Sequence, residues 1–233
     1  MDKTLDKHHE FKHALRSAFP HTIPVLTGFL VLGMAYGVLM QKNGYGVLWT
    51  FMMSAIAFCG SMQFVAITLL TTTFQPIQAF LLSLMVNARH LFYGISMLGK
   101  YQGLGKLKNF LIYTLCDETF SISSSVDVPN DVNRKYFYFA ISFLDYLYWI
   151  TGSIIGSILG GFLTFNTKGL DFVLTALFVV LFIEQMKKRE NIQYGIIGIV
   201  GSILAIILFG SANMVIPAMM ILLAILLIRR DAA

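Results

Sequence analysis

The chain has 233 residues, of which 57% are hydrophobic and only 12% charged, with a mean hydropathy of +0.73. A soluble domain carries about 25% charged residues, so a water-soluble globule of this composition would expose large apolar patches. The net charge of +5 comes from lysines and arginines gathered at the ends of apolar segments, a pattern that sets membrane topology and excludes nucleic acid as the reason for the charge.

These properties predict an all-α, polytopic integral membrane protein of about eight (seven or eight) transmembrane helices. A polar cytoplasmic leader over residues 1–21 precedes a single transmembrane domain over residues 22–230. Residues 1–19 carry Lys3, Lys7, Lys12 and Arg16 and have no apolar core, so they do not form a signal peptide. His8, His9, His13 and His21 read as part of a solvated, disordered or interfacial leader, and no metal is expected there.

Eight apolar segments follow, near residues 23–40, 47–72, 76–98, 108–126, 136–162, 169–186, 192–209 and 213–228. The fourth is the most polar, with Asp117, Glu118 and four serines, and a re-entrant path is an alternative for it and for the two short final segments. Positive-inside counting favours eight crossings with both termini cytoplasmic. Eleven lysines and arginines then lie inside and five outside: Lys42, Lys100, Lys106, Lys108 and Lys168. Dropping the fourth segment alone reverses that bias. The Lys100–Lys108 cluster fits the eight-crossing scheme badly.

Glycine steps mark helix contacts. Gly152, Gly156 and Gly160 recur every fourth residue, as do Gly33 and Gly37, and such faces let helix backbones approach closely. A faint internal repeat at an offset near 121 relates the first two segments to the fifth and sixth. Cys59 and Cys116 lie in apolar segments and read as buried thiols, with no disulfide or zinc pattern.

The chemistry concentrates at Asn87-Ala88-Arg89-His90, near the centre of the third segment. Arginine at a membrane helix centre costs roughly 2.5–3.5 kcal/mol on insertion scales, so something in the membrane must need it. Gly60, Ser61 and Gln63 lie at the middle of the second segment, and Asp117 and Glu118 at the middle of the fourth. Equal depth is what a midplane site between helices requires. A cationic pole at Arg89 and an anionic pole at Asp117 and Glu118 complement a zwitterionic amino acid. Met62, Phe64, Phe92 and Tyr93 are candidates to hold its apolar side chain. The alternative is a structural Arg–carboxylate pair that fixes helix register. Asp117, Glu118, His90 and Asp145 are titratable and suit proton coupling.

On a regular helix Asn87 and His90 share a face, whereas Arg89 points about 200° from Asn87. Arg89 therefore joins them at one cavity only if the third segment breaks. Asp171 reads as a helix cap, and Glu184 as interfacial beside Lys187 and Lys188. Catalytic readings lack their parts: the chain has no HExxH, GxxxxGK[ST], GxSxG or CxxC. No enzyme activity and no cofactor are expected.

Several stretches together resemble one family. They are "GFLVLGMAYGVL", "AFCGSMQFVAITLL" (Ala57–Leu70), "LMVNARHLFYG" (Leu84–Gly94), "DETFS" (Asp117–Ser121) and "GLDFVLTALFVVL" (Gly169–Leu181). The chain resembles the AzlC family, the large subunits of branched-chain amino acid exporters (also called LIV-E, with the BrnF and YgaZ proteins). The resemblance spans roughly residues 15–228. It implies export of leucine, isoleucine, valine and in some members methionine across the inner membrane. It also implies a separately encoded, small hydrophobic AzlD-type subunit. Transport of another amphipathic solute, or a non-transporting scaffold role, are the competing functions.

Overall fold

The computed structural model describes residues 3–73, 75–162 and 189–210, with scattered positions between 176 and 187 and between 217 and 225. The described residues are helical throughout, and the chain divides into two compact units, Met1–Leu170 and Asp171–Ala233. In the first unit the helices are α1 (Lys3–Lys42), α2 (Val47–Met52, continued by a π-helical turn Met53–Ala57), α3 (Ser61–Thr71), α4 (Pro76–Met97), α5 (Leu107–Tyr113), α6 (Asp117–Ser125) and α7 (Arg134–Phe162). The second contains α8 (Arg189–Phe209), in which Gly195 lies against Met186 and Gly201 against Leu222. The sixth and eighth predicted segments, Asp171, Glu184 and hence the offset-121 repeat lie largely or wholly outside the described residues.

Three described helices are long and apolar enough to cross a membrane: His8–Lys42, Arg134–Phe162 and Ile192–Phe209. The leader differs from expectation. Residues 3–21 continue α1 as helix through Pro20 and Pro24. They hold because one face is covered: Ala14 and Ala18 are fully buried, and Phe11 packs against the rings of Tyr136 and Phe139. Glu10 accepts a hydrogen bond from Asn133, and His13 lies 3.4 Å from Asp131.

α1 and α7 form the scaffold of this unit and run parallel. Phe11 meets Tyr136, Thr22 meets Tyr148, Gly33 meets Ser153, and Gln41 meets Gly160. The glycine steps seen in the sequence are what brings the backbones together. A Cβ on Gly37 would fall 2.0 Å from the Ser153 carbonyl oxygen, and one on Gly156 2.1 Å from that of Met34. Side chains cannot enter this seam without forcing the two backbones apart.

The second and fourth segments are each a helix–break–helix hairpin that returns to the end it left. α2 descends along α7, with Thr50 at Ser157 and the Ala55 carbonyl at the Tyr146 hydroxyl. The chain breaks at Phe58–Gly60, and α3 climbs back past Trp149 until the Leu70 carbonyl accepts from Tyr45, two residues before α2 begins. The break has a local cause: Phe58 (φ 36°) and Gly60 (φ 43°) both adopt left-handed backbone, which ends one helix and re-aims the next.

The second hairpin enters from the opposite end of the scaffold. Tyr101, before α5, packs on Tyr138 near the start of α7; Tyr113, at the end of α5, has reached Tyr146. The chain breaks at Thr114–Cys116. α6 then returns from Asp145 to its last turn, where Lys100 Nζ donates to the carbonyls of Ser123 and Ser124. Between the hairpins α4 passes unbroken from the end of α3 to the start of α5. Its 22 residues span about 33 Å at 1.5 Å per residue, enough for a bilayer core of about 30 Å. Within this unit α1, α4 and α7 run unbroken and the second and fourth segments fold back on themselves, where the sequence predicted five crossings.

Candidate functional site

Arg89 lies on the regular helix α4, which does not break there, so Arg89 does not join Asn87 and His90 on one face. The breaks fall in its neighbours instead, and this is how an arginine on the wrong face of its own helix finds partners. Its guanidinium Nη2 donates to Ser61 Oγ at 2.7 Å, and Nη1 lies 2.8 Å from Asp117 Oδ2. Ser61 is the first residue of α3 and Asp117 the first of α6. One cation thus joins the N-terminal ends of the returning limbs of both hairpins. Neither end has a side-chain cap.

The junction gathers charges of both signs. Each helix N-terminus acts as roughly half a positive charge, and the guanidinium adds a full one. Asp117 supplies one negative charge directly against them and Glu118 a second beside it, so a carboxylate that binds the guanidinium and helix ends has to displace Asp117. Arg89 and Asp117 keep 34% and 28% of their side-chain surface exposed, so both can be reached. Arg89 Nε and, behind α6, Asp145 Oδ1 are shielded from solvent without a hydrogen-bond partner, which leaves polar valence beside the junction.

The other predicted site residues divide. Gly60 forms the break before α3 and leaves open space where a Cβ would point. Gln63 is fully buried and its amide is already used: it accepts from Trp149 Nε1 at 2.7 Å and donates to Ser54 at 3.4 Å. Gln63 therefore ties α3 to α7. Asn87 and His90 share a face as expected, and His90 Nδ1 lies 3.2 Å from the Asn87 carbonyl. His90 lines a cavity of about 300 Å³ with Gly94, Leu98, Lys108 and Ile112, between α4 and α5. Glu118 follows Asp117 on α6 and is half-buried.

Asp145 sits on α7, fully buried, and accepts a hydrogen bond from Thr119 at 2.9 Å through Oδ2. Of the apolar candidates, Met62 and Phe64 are buried, Phe64 within a ring cluster with Tyr36 and Trp149, whereas Phe92 is 68% exposed and points away. Tyr93 stacks on Phe120 at 4.4 Å. Sequence reasoning missed Thr119, Trp149, Tyr113 and Ser54 as parts of the junction. One signal was available: Asp145 and Trp149 are four residues apart and so share one face of α7.

The family model described as AzlC protein matches residues 24–163, from the middle of α1 to the end of α7. The chain belongs to the AzlC family. It is 48% identical, over 97% of its length and 89% of the relative's, to a Bacillus subtilis protein named branched-chain amino acid transport protein AzlC. A Helicobacter pylori membrane protein is 39% identical over 96% of this chain and 98% of its own. The Escherichia coli inner membrane protein YgaZ is 26% identical over 73% of each chain. No solved structure matches. These relatives and the apolar helices make the chain a multi-pass membrane protein of this transport-associated family, and not an enzyme.

Proposed function

We propose that the protein is the large subunit of a secondary exporter of branched-chain amino acids, acting with a small AzlD-type membrane subunit. The observation that carries this reading is Arg89 held between the N-terminal ends of α3 and α6. A substrate α-carboxylate would compete with Asp117 for the guanidinium and both helix ends. The displaced Asp117, with Glu118, would then face the substrate ammonium. The similarity to a protein named for branched-chain amino acid transport supports leucine, isoleucine and valine as substrates, with methionine the nearest unbranched analogue.

Among the coupling candidates, Asp145 is the best protected. It is buried, has one unpartnered oxygen and is tied through Thr119 to α6, which also carries Asp117 and Glu118. A proton on Asp145 would remove a buried negative charge next to the limb that must move. His90, Asp117 and Glu118 remain in the same role as nearer neighbours of the substrate.

Proteoliposomes containing this chain, with and without the small subunit, test the reading. Preloaded leucine, isoleucine, valine and methionine should leave faster when both subunits are present, and a panel of other amino acids should not. Equal efflux with and without protein would remove the transport role, and efflux of a different solute would redirect the substrate.

A further inference from the structure

The two hairpins correspond at three positions of their returning limbs. In each, the first residue of the returning limb meets Arg89: Ser61 at 2.7 Å and Asp117 at 2.8 Å. In each, the third residue bonds to α7: Gln63 to Trp149 and Thr119 to Asp145, one helical turn apart. The fourth is phenylalanine in both, Phe64 and Phe120. The hairpins approach from opposite ends of α7, and their tips touch: the Tyr113 hydroxyl donates to the carbonyls of the other hairpin's π-turn, 2.7 Å from that of Ile56.

We infer that the hairpins are an inverted pair and form the two gates of the transporter. α2–α3 opens the Arg89 junction toward the side where α1 ends, and α5–α6 opens it toward the side where α1 begins. The gating half of this inference rests on the transport reading; the topology half does not. Inverted repeats around a midplane site are a common basis for alternating access. Short limbs, each interrupted at mid-depth, suit a gate better than the glycine-locked α1–α7 pair does. Because Arg89 contacts both returning limbs, either limb can leave while the other still holds the guanidinium.

The charge distribution of this unit agrees. With both segments turning back, and among the described residues outside the junction, Lys3, Lys7, Lys12, Arg16, Lys100, Lys106, Lys108, Arg134 and Lys135 fall on one side, and Lys42 on the other. The Lys100–Lys108 cluster, misplaced in the eight-crossing scheme, joins the cytoplasmic side that the positive-inside rule requires.

Sided labelling of the full chain tests both halves. In a Cys59→Ser, Cys116→Ser background, a membrane-impermeant maleimide added to intact cells should modify Thr73→Cys and spare Gln102→Cys and Asn130→Cys until the cells are permeabilised. The reverse pattern at Thr73→Cys and Gln102→Cys would show that the second segment crosses, and opposite sidedness of Gln102→Cys and Asn130→Cys that the fourth does; either overturns the hairpins. The gating half uses near-isosteric variants, each checked for a monodisperse folded state. With Cys59 as the remaining thiol, Gln63→Met should raise its labelling from outside relative to inside-out vesicles. Thr119→Val should shift the ratio the other way. A shift in the same direction for both variants, or none, overturns the gates, whatever solute is transported.

Discussion

The α1–α7 pair and the two hairpins use opposite kinds of packing. Along α1 and α7 the fit is backbone against backbone, with Gly33, Gly37, Gly152 and Gly156 leaving no room for a side chain. At the hairpins the fit is a handful of side-chain hydrogen bonds, and Gly60 has open space around it. The first arrangement resists relative motion; the second can be released one bond at a time. A transporter needs both, a frame that stays and limbs that move, and here they are separate stretches of one chain.

The largest expected effect is in the frame. Gly156→Leu or Gly37→Leu should overpack the seam by at least the roughly 1–3 kcal/mol typical of inserted side chains, because only backbone is there to yield. Folded yield and detergent melting temperature should both collapse. The paired change in a hairpin, Gly60→Ala, should leave the melting temperature within a few degrees while slowing transport, since it strains a left-handed position of a moving part. If Gly60→Ala unfolds the protein as Gly156→Leu does, the division between frame and limbs is wrong.

Arg89→Lys should come next. Lysine lacks the planar fork that reaches Ser61 and Asp117 together, so leucine efflux should fall by about tenfold or more with little change in melting temperature. Asp145→Asn keeps an acceptor for Thr119 but cannot exchange a proton; it should preserve folding and flatten the dependence of efflux on pH. An unchanged pH profile would move coupling to Glu118, Asp117 or His90. Tyr113→Phe should be mildest, losing a hydrogen bond worth about 1 kcal/mol at the hairpin tips and raising tip-cysteine labelling with the fold intact.

The sequence made the class legible and singled out side chains that meet. Composition required a membrane protein, and Ser61, Arg89 and Asp117, picked out near the centres of their segments, are brought together in the structure. Glycine steps at 33, 37, 152 and 156 anticipated the α1–α7 seam. The hairpins were harder to read, because a broken segment of 19 to 25 residues has the length and hydropathy of a crossing one. Left-handed backbone at Phe58 has no signature, since phenylalanine rarely adopts it. The clue was electrostatic: three lysines at 100, 106 and 108 on the wrong side of the predicted membrane. The helical-wheel objection to Arg89 was also sound, but its resolution lay in the neighbouring segments. The bond from Trp149 to Gln63 was not legible either, because it joins residues 86 positions apart.

The most direct measurement is equilibrium binding of leucine and leucinamide to the purified protein and to its Arg89→Lys variant. The two ligands share the side chain and ammonium and differ only in the carboxylate. Leucine should bind the native protein, leucinamide should bind far more weakly, and Arg89→Lys should erase the difference. Equal binding of both ligands, or an Arg89→Lys variant that still prefers leucine, would contradict carboxylate recognition at the Arg89 junction.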